Sequence, residues 1–153
     1  MEVDVMFRKK KRKGQAIVEM ALVFPFFLLI IVGGIIDFGF AFYNFLALQQ
    51  VVNDTAQWAA ESQGKDTVPS SSEITSYANS RRPAWWTGTF TVSPPVIEDL
   101  TSTGGKYVSL IMTYESPTYT PFYQIIFEAT TGASHIRLAA QAAYKIPELV
   151  TTR

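Results

Sequence analysis

Hydrophobic and polar positions divide the chain into stretches with different rhythms. Residues 14–48 are almost all apolar, and residues 20–36 read MALVFPFFLLIIVGGII without a charge. With its flanks this run exceeds the roughly 20 residues that cross a bilayer. Backbone groups in lipid must bond within the segment, so the predicted element is a transmembrane helix over 15–40. Beyond it, Phe38, Phe42, Phe45, Leu48 or Gln49, Val52, Ala56 and Ala59 recur at three- or four-residue steps. That spacing predicts a stem helix over 41–63, with Asn44, Gln50, Asn53 and Gln57 on its other side and Gly64 as its stop.

The rhythm then changes from three and four to two. Residues 64–88 are rich in Ser, Thr, Gly and Pro and predict a loop holding one short helix, 73–79, capped by Ser71 or Ser72. Alternation predicts strands at 89–92, 107–114 and 136–146. In the second, Val108, Leu110, Met112 and Tyr114 share a face; in the third, Ile136, Leu138, Ala140, Ala142, Tyr144 and Ile146 do. Residues 98–106 predict a turn through Gly104-Gly105. The apolar and aromatic stretch 117–127 has two readings, a short helix under the sheet or an exposed contact surface for another subunit. An antiparallel sheet laid on the stem helix would bury these faces, which makes the fold class α+β and 64–153 one small domain.

Charge gives this layout a direction. The formal net charge is zero, with 13 basic and 13 acidic residues, but residues 8–13 are six consecutive positive charges. A basic block directly before an apolar helix holds its N-terminus in the cytoplasm and sends residues 64–153 across the membrane. Residues 1–14 thus form a basic cytoplasmic leader. A cleaved secretory signal is the nearest competitor, but its apolar core should span about 7 to 15 residues, and this one runs on. Cysteine is absent, so no disulfide or thiolate chemistry is available.

Within the helix a few residues break the apolar pattern. Pro25 removes one backbone donor, which predicts local loosening or a kink. Gly33, Gly34 and Gly39 are small positions where another helix could approach. Glu19 and Asp37 are eighteen residues apart, five helical turns, and fall on nearly one face. A carboxylate in hydrocarbon requires a partner or water. For Asp37, a place at the membrane surface would also suffice.

The junction Lys13-Gly14-Gln15-Ala16-Ile17-Val18-Glu19 joins a basic leader ending in glycine to an apolar helix with glutamate fifth. This resembles the processing site of type IV prepilins and pseudopilins, and the resemblance implies cleavage between Gly14 and Gln15 by a prepilin peptidase. The longer stretch 14–61 is similar to the N-terminal region of the TadE-like pseudopilins of the tight-adherence pilus and secretion machinery. The Gly-Gln-Ala-x-Val-Glu opening, the Leu-Val-Phe-Pro run and Asp37-Phe38-Gly39 carry that similarity. It implies a pilin-like fold and a minor pseudopilin role. The implied partners are other pilins or pseudopilins, an inner-membrane assembly platform and the lipid bilayer, and no cofactor is implied. After such a cut the new α-amino group on Gln15 lies one helical turn from Glu19, a spacing at which the two can pair. That makes Glu19 the candidate assembly residue.

Catalysis finds no support in the composition. One histidine, His135, and no cysteine leave a hydrolytic triad or zinc site without partners, and His135 reads as a strand-start surface residue. Arg81, Arg82, Trp85 and Trp86 suit either a loop folded over the core or contact with lipid headgroups or a protein. Two arginines in an acidic domain are a poor nucleic-acid footprint. Two non-enzymatic hypotheses result: an assembling pseudopilin cut after Gly14, or an uncleaved single-pass accessory protein whose distal domain binds an envelope partner.

Overall fold

The computed structural model describes residues 3–62, 69–100 and 105–147; for residues 3–13, 99 and 100 it describes the backbone alone. One helix, α1 (Val3–Glu61), runs from the basic leader through the stem. It is followed by α2 (Ser71–Arg81), β1 (Phe90–Val92), β2 (Val96–Leu100), β3 (Gly105–Pro117), α3 (Pro121–Thr131) and β4 (His135–Lys145). The fold is α+β: the distal half of α1 packs on a small antiparallel sheet through β3 and β4.

The centre of the sheet is β3. It pairs with β4 from Tyr107 to Pro117 on one side and with β1 and β2 on the other. Val92 pairs with Met112 and Val96 with Ser109, so four steps along this edge face three along β3. Pro94 and Pro95 occupy the extra length. Neither can donate to a ladder, which confines them to an edge and splits one strand into two. The turn expected over 98–106 is therefore corrected. Residues 98–100 belong to β2 and 105–106 to β3, while Gly104 lies outside the described residues, as does Gly64.

Alternation along β3 buries Val108, Leu110, Met112 and Tyr114, as its two-residue rhythm predicts. Opposite Leu110 and Met112 stand Ala142 and Ala140 of β4. These small side chains meet a helix face of matching size, Leu48, Val52, Ala56, Ala59 and Ala60, and all five are buried. Close approach of helix to sheet follows from alanine on both surfaces. Gly88 permits a second close approach. A Cβ there would run into the Glu115 carbonyl oxygen of the β3 backbone, which has little room to move.

The stem stripe differs from the expected one at its lower end. Phe38 and Phe42 are exposed, whereas Ala41 and Asn44 are buried. Asn44, expected on the outer side, faces the core because it has partners there. Its Nδ2 donates to Ser116 Oγ at 3.0 Å and its Oδ1 accepts from Trp86 Nε1 at 3.1 Å. Trp86 lies flat on Tyr114, with centroids 4.2 Å apart and planes at 13°. Burial pushes the Tyr114 phenol up from its ordinary range, so it stays neutral at physiological pH.

Helix α2 begins at Ser71, two residues before the expected start, and its cap lies one residue before the expected Ser71 or Ser72. Ser70 is the N-cap and forms a reciprocal box with Glu73, each side chain bonding the other's backbone N–H. The Glu73 carboxylate accepts from the Ser70 backbone N–H and also from the Ser70 hydroxyl, and these two bonds hold it below its usual range. A depressed carboxylate stabilises the fold above its unfolded value, and that contribution is lost as pH falls through the folded one. Amide exchange in α2, corrected for intrinsic rates, is therefore expected to speed up selectively below the ordinary carboxylate range. Glu73→Gln should remove that pH dependence.

Candidate functional site along the long helix

Among the described residues, little of the chain covers the proximal part of α1. From Ile17 to Val32 the large apolar side chains are exposed, among them Phe24, Phe27 and Leu29. The most apolar 18-residue window has mean hydropathy 2.5 and is only 6% buried. A core helix of a water-soluble domain would be mostly covered, so this exposure separates the two cases. At its start, Gly14 and Gln15 lie within continuous helical backbone. Glu19 is exposed, and its Oε1 accepts from Gln15 Nε2 at 3.1 Å. Pro25 lies inside α1, whose helical assignment runs through it unbroken.

Burial begins at Gly33 and recurs at Asp37, Ala41, Asn44 and Leu48, steps of four, four, three and four. Up to Asn44 this inward stripe is small or polar. The exposed residues between are large and aromatic: Phe38, Phe40, Phe42 and Tyr43. The arrangement inverts that of a helix in water and suits one in lipid, where small residues mark the protein-facing side.

Here α3 meets α1. Tyr123 packs against Gly33 and Gly34; a Cβ on Gly34 would lie 2.7 Å from the Tyr123 hydroxyl. That hydroxyl donates to the Ile30 carbonyl at 3.0 Å. Tyr123 and Phe127 both set their rings against Phe38, with centroids at 5.9 and 6.3 Å. Gly33 and Gly34 thus receive a helix of the same chain, while Gly39 has nothing within reach of a Cβ. The stretch 117–127 is accordingly a helix start docked on α1, not a helix beneath the sheet. None of the residues of α3 is buried.

Asp37 joins the two helices. It is buried, and its carboxylate accepts from the backbone N–H of Tyr119 at 2.6 Å, the N–H of Thr120 at 3.0 Å and the Thr120 hydroxyl. Thr120 is the N-cap of α3 and makes no cap bond within its own helix. Asp37 therefore caps α3 from outside, placing a negative group where helix N–H donors need one. Sequence reasoning marked Asp37 as an acid needing a partner. It did not find Tyr119, Thr120 or Tyr123, which lie more than eighty residues away in the chain.

Other candidates fall elsewhere. Trp86 is in the core, whereas Trp85 is exposed and stacks on Tyr43. Arg81 bonds the Tyr77 hydroxyl at 3.1 Å. His135 opens β4, half-exposed, with Nε2 3.5 Å from Glu115 Oε1. Among the described residues no group of three His, Cys, Asp or Glu is placed to hold a metal ion.

Fold and junction together define a class of protein. One apolar helix of membrane-crossing length, consistent with a single-pass protein, becomes the spine on which a small antiparallel sheet folds. Residues 14–57 match the family model described as TadE-like protein, so that segment of the 153-residue chain is TadE-like. That likeness links the chain in general terms to pilus or secretion assembly. Searches for similar curated proteins and similar solved structures gave no match.

Proposed function

We propose that the chain is a minor pseudopilin-like subunit of a tight-adherence, type IVb-like pilus or the related secretion machinery. Residues 15–40 cross the inner or cytoplasmic membrane, 41–63 form the stem, and 64–153 fold on the extracytoplasmic side. The leader stays in the cytoplasm, held by the positive charges at 8–13, and a prepilin peptidase removes it after Gly14. The carrying observation is that the TadE-like match covers the stretch in which α1 is apolar, exposed and preceded by that basic block. Lateral partners are other pilins or pseudopilins and the assembly platform, meeting the chain along exposed α1.

Glu19 is the residue on which assembly turns. Its carboxylate lies one turn from Gln15, whose α-amino group exists only after the cut. An acid in hydrocarbon costs several kcal/mol unless it is paired. Cleavage therefore supplies a charge partner, within one chain or from a neighbour. Intact mass of the protein from a native host is expected to show a mature form beginning at Gln15. An intact leader in functional material would favour an uncleaved accessory protein instead. Glu19→Val should leave insertion and cleavage largely intact while reducing copurification of the other pilus components. Undiminished recovery would remove Glu19 from the assembly role.

A further inference from the structure

Helix α3 carries more apolar surface than its contact with α1 uses. On a wheel at 100° per residue, Ile125, Ala129, Phe122, Ile126, Tyr123 and Phe127 span roughly 200° of its circumference, interrupted by Thr130, whose hydroxyl bonds back to the Ile126 carbonyl. Tyr123 and Phe127 occupy one edge of that arc and meet Phe38. The other edge is open, with Ile125 67% exposed. Gln124, Glu128 and Thr131 fill the narrow polar side.

We propose that α3 lies in the interfacial plane of the outer leaflet, with Ile125 and its neighbours among lipid acyl chains. The inference rests on the membrane reading of α1 given above and adds a second lipid-embedded element to it. Depth carries it. Tyr123 reaches α1 at residues 30–34 and Phe38, in the distal part of the exposed apolar run. A hydrocarbon core of about 30 Å beginning at Gln15 ends near residue 35. Residues docked at that level share the boundary of the core.

Three features fit lipid as the occupant. An open groove of about 630 Å³ lies between α1 and the start of α3, lined by apolar side chains including Phe24, Leu28, Val32 and Ile36 and by Thr120 and Pro121. That is the shape and chemistry of an acyl-chain slot. Beyond it, the tilted pair Phe40–Tyr119 and the stacked pair Tyr43–Trp85 form an aromatic tier at the level expected for headgroups. Finally, a helix end at the lipid boundary must satisfy its own N–H groups. Asp37 accepts from the N–H groups of Tyr119 and of the N-cap Thr120, and Pro121 at the first position has no N–H to satisfy. A wide apolar face, a narrow polar one and a capped start are what an interfacial helix requires.

The absence of cysteine allows single-cysteine labelling of the full chain in phosphatidylcholine–phosphatidylglycerol vesicles. Three variants suffice: Ile125→Cys on α3, Leu28→Cys on the span and Ser72→Cys on exposed α2. A water-soluble maleimide is expected to label Cys at 125 at least about tenfold more slowly than at 72, at every protein-to-lipid ratio. A bimane on position 125 should be quenched by lipids brominated along the acyl chain. Equal labelling at 125 and 72 with protection at 28 would overturn the placement of α3 and leave the spanning helix standing. Protection at neither 28 nor 125 would instead overturn the membrane reading. Protection at 125 that vanishes as lipid dilutes the protein would identify a second subunit as the cover and also overturn the proposal.

Discussion

Trp86→Ala is expected to destabilise the C-terminal domain by roughly 3–5 kcal/mol, the range for deleting a buried large aromatic side chain. Trp86 is 4% exposed, lies flat on Tyr114 and touches Phe90. Alanine leaves a cavity between the loop before β1 and the middle of β3. It also removes the donor to Asn44 Oδ1, a buried acceptor on α1. An unsatisfied buried polar group adds about 1–3 kcal/mol unless water enters the cavity. A domain of this size has a net stability of about 5–15 kcal/mol, so the variant stands near the edge of folding. Trp85→Ala, one residue away, should cost under about 1 kcal/mol, because that ring is half-exposed and stacks only on Tyr43. Urea unfolding of the full chain in detergent micelles, followed by loss of sheet signal, measures both. Similar midpoints for the two variants would contradict the assignment of Trp86 as the link between helix and sheet. Trp86→Phe should fall between them, keeping the stack and losing the bond.

The adjacent tryptophans show where the sequence stops being readable. Their neighbours along the chain are alike, and only the fold puts one against Tyr114 and the other outside. Strands β3 and β4 were legible because alternation is a local property: every second residue must face α1, and the apolar residues say which. The apolar run of α1 was legible for the same reason. Asn44 was not, because helical periodicity sorts residues by polarity, whereas Asn44 is polar and buried by virtue of Ser116 and Trp86. The exposed Phe38 and Phe42 are the converse case. A pattern meant for water assigns them inward, but under the proposed placement they sit at or just beyond the lipid boundary, where aromatic side chains face outward. Strand β2 was hidden by Pro94, Pro95 and its acidic residues, all of which an edge strand tolerates. At the candidate site the need of Asp37 for a partner could be deduced from chemistry. The identity of that partner depends on a contact spanning Asp37 to Thr120 that no local pattern encodes.

That contact sets up the second large effect. Asp37→Ala is expected to detach α3 from α1 without unfolding the sheet. The carboxylate accepts from Tyr119 N–H, Thr120 N–H and the Thr120 hydroxyl, and all three lose their acceptor together. Hydrogen bonds to a charged group contribute about 1.5–3 kcal/mol each but are not additive, so a net loss of roughly 3 kcal/mol is expected. Among the described residues, little else of the protein holds the helix: it has no buried residue, and its other contacts with α1 include the Tyr123 bond to the Ile30 carbonyl, the seat of Tyr123 on Gly33 and Gly34, and two edge contacts with Phe38. A loss of that size corresponds to about a hundredfold faster local opening. Amide exchange of α3 should rise by that factor, while β3 and β4, held by their ladder and by α1, should keep their protection. Asp37→Asn retains one acceptor oxygen and should give a smaller rise. If α3 and β4 lost protection equally in Asp37→Ala, Asp37 would be part of the global fold and not a latch for one helix. Local opening of α3 alone would make Asp37 the residue that fixes how far the distal domain is tied to the apolar helix beneath it.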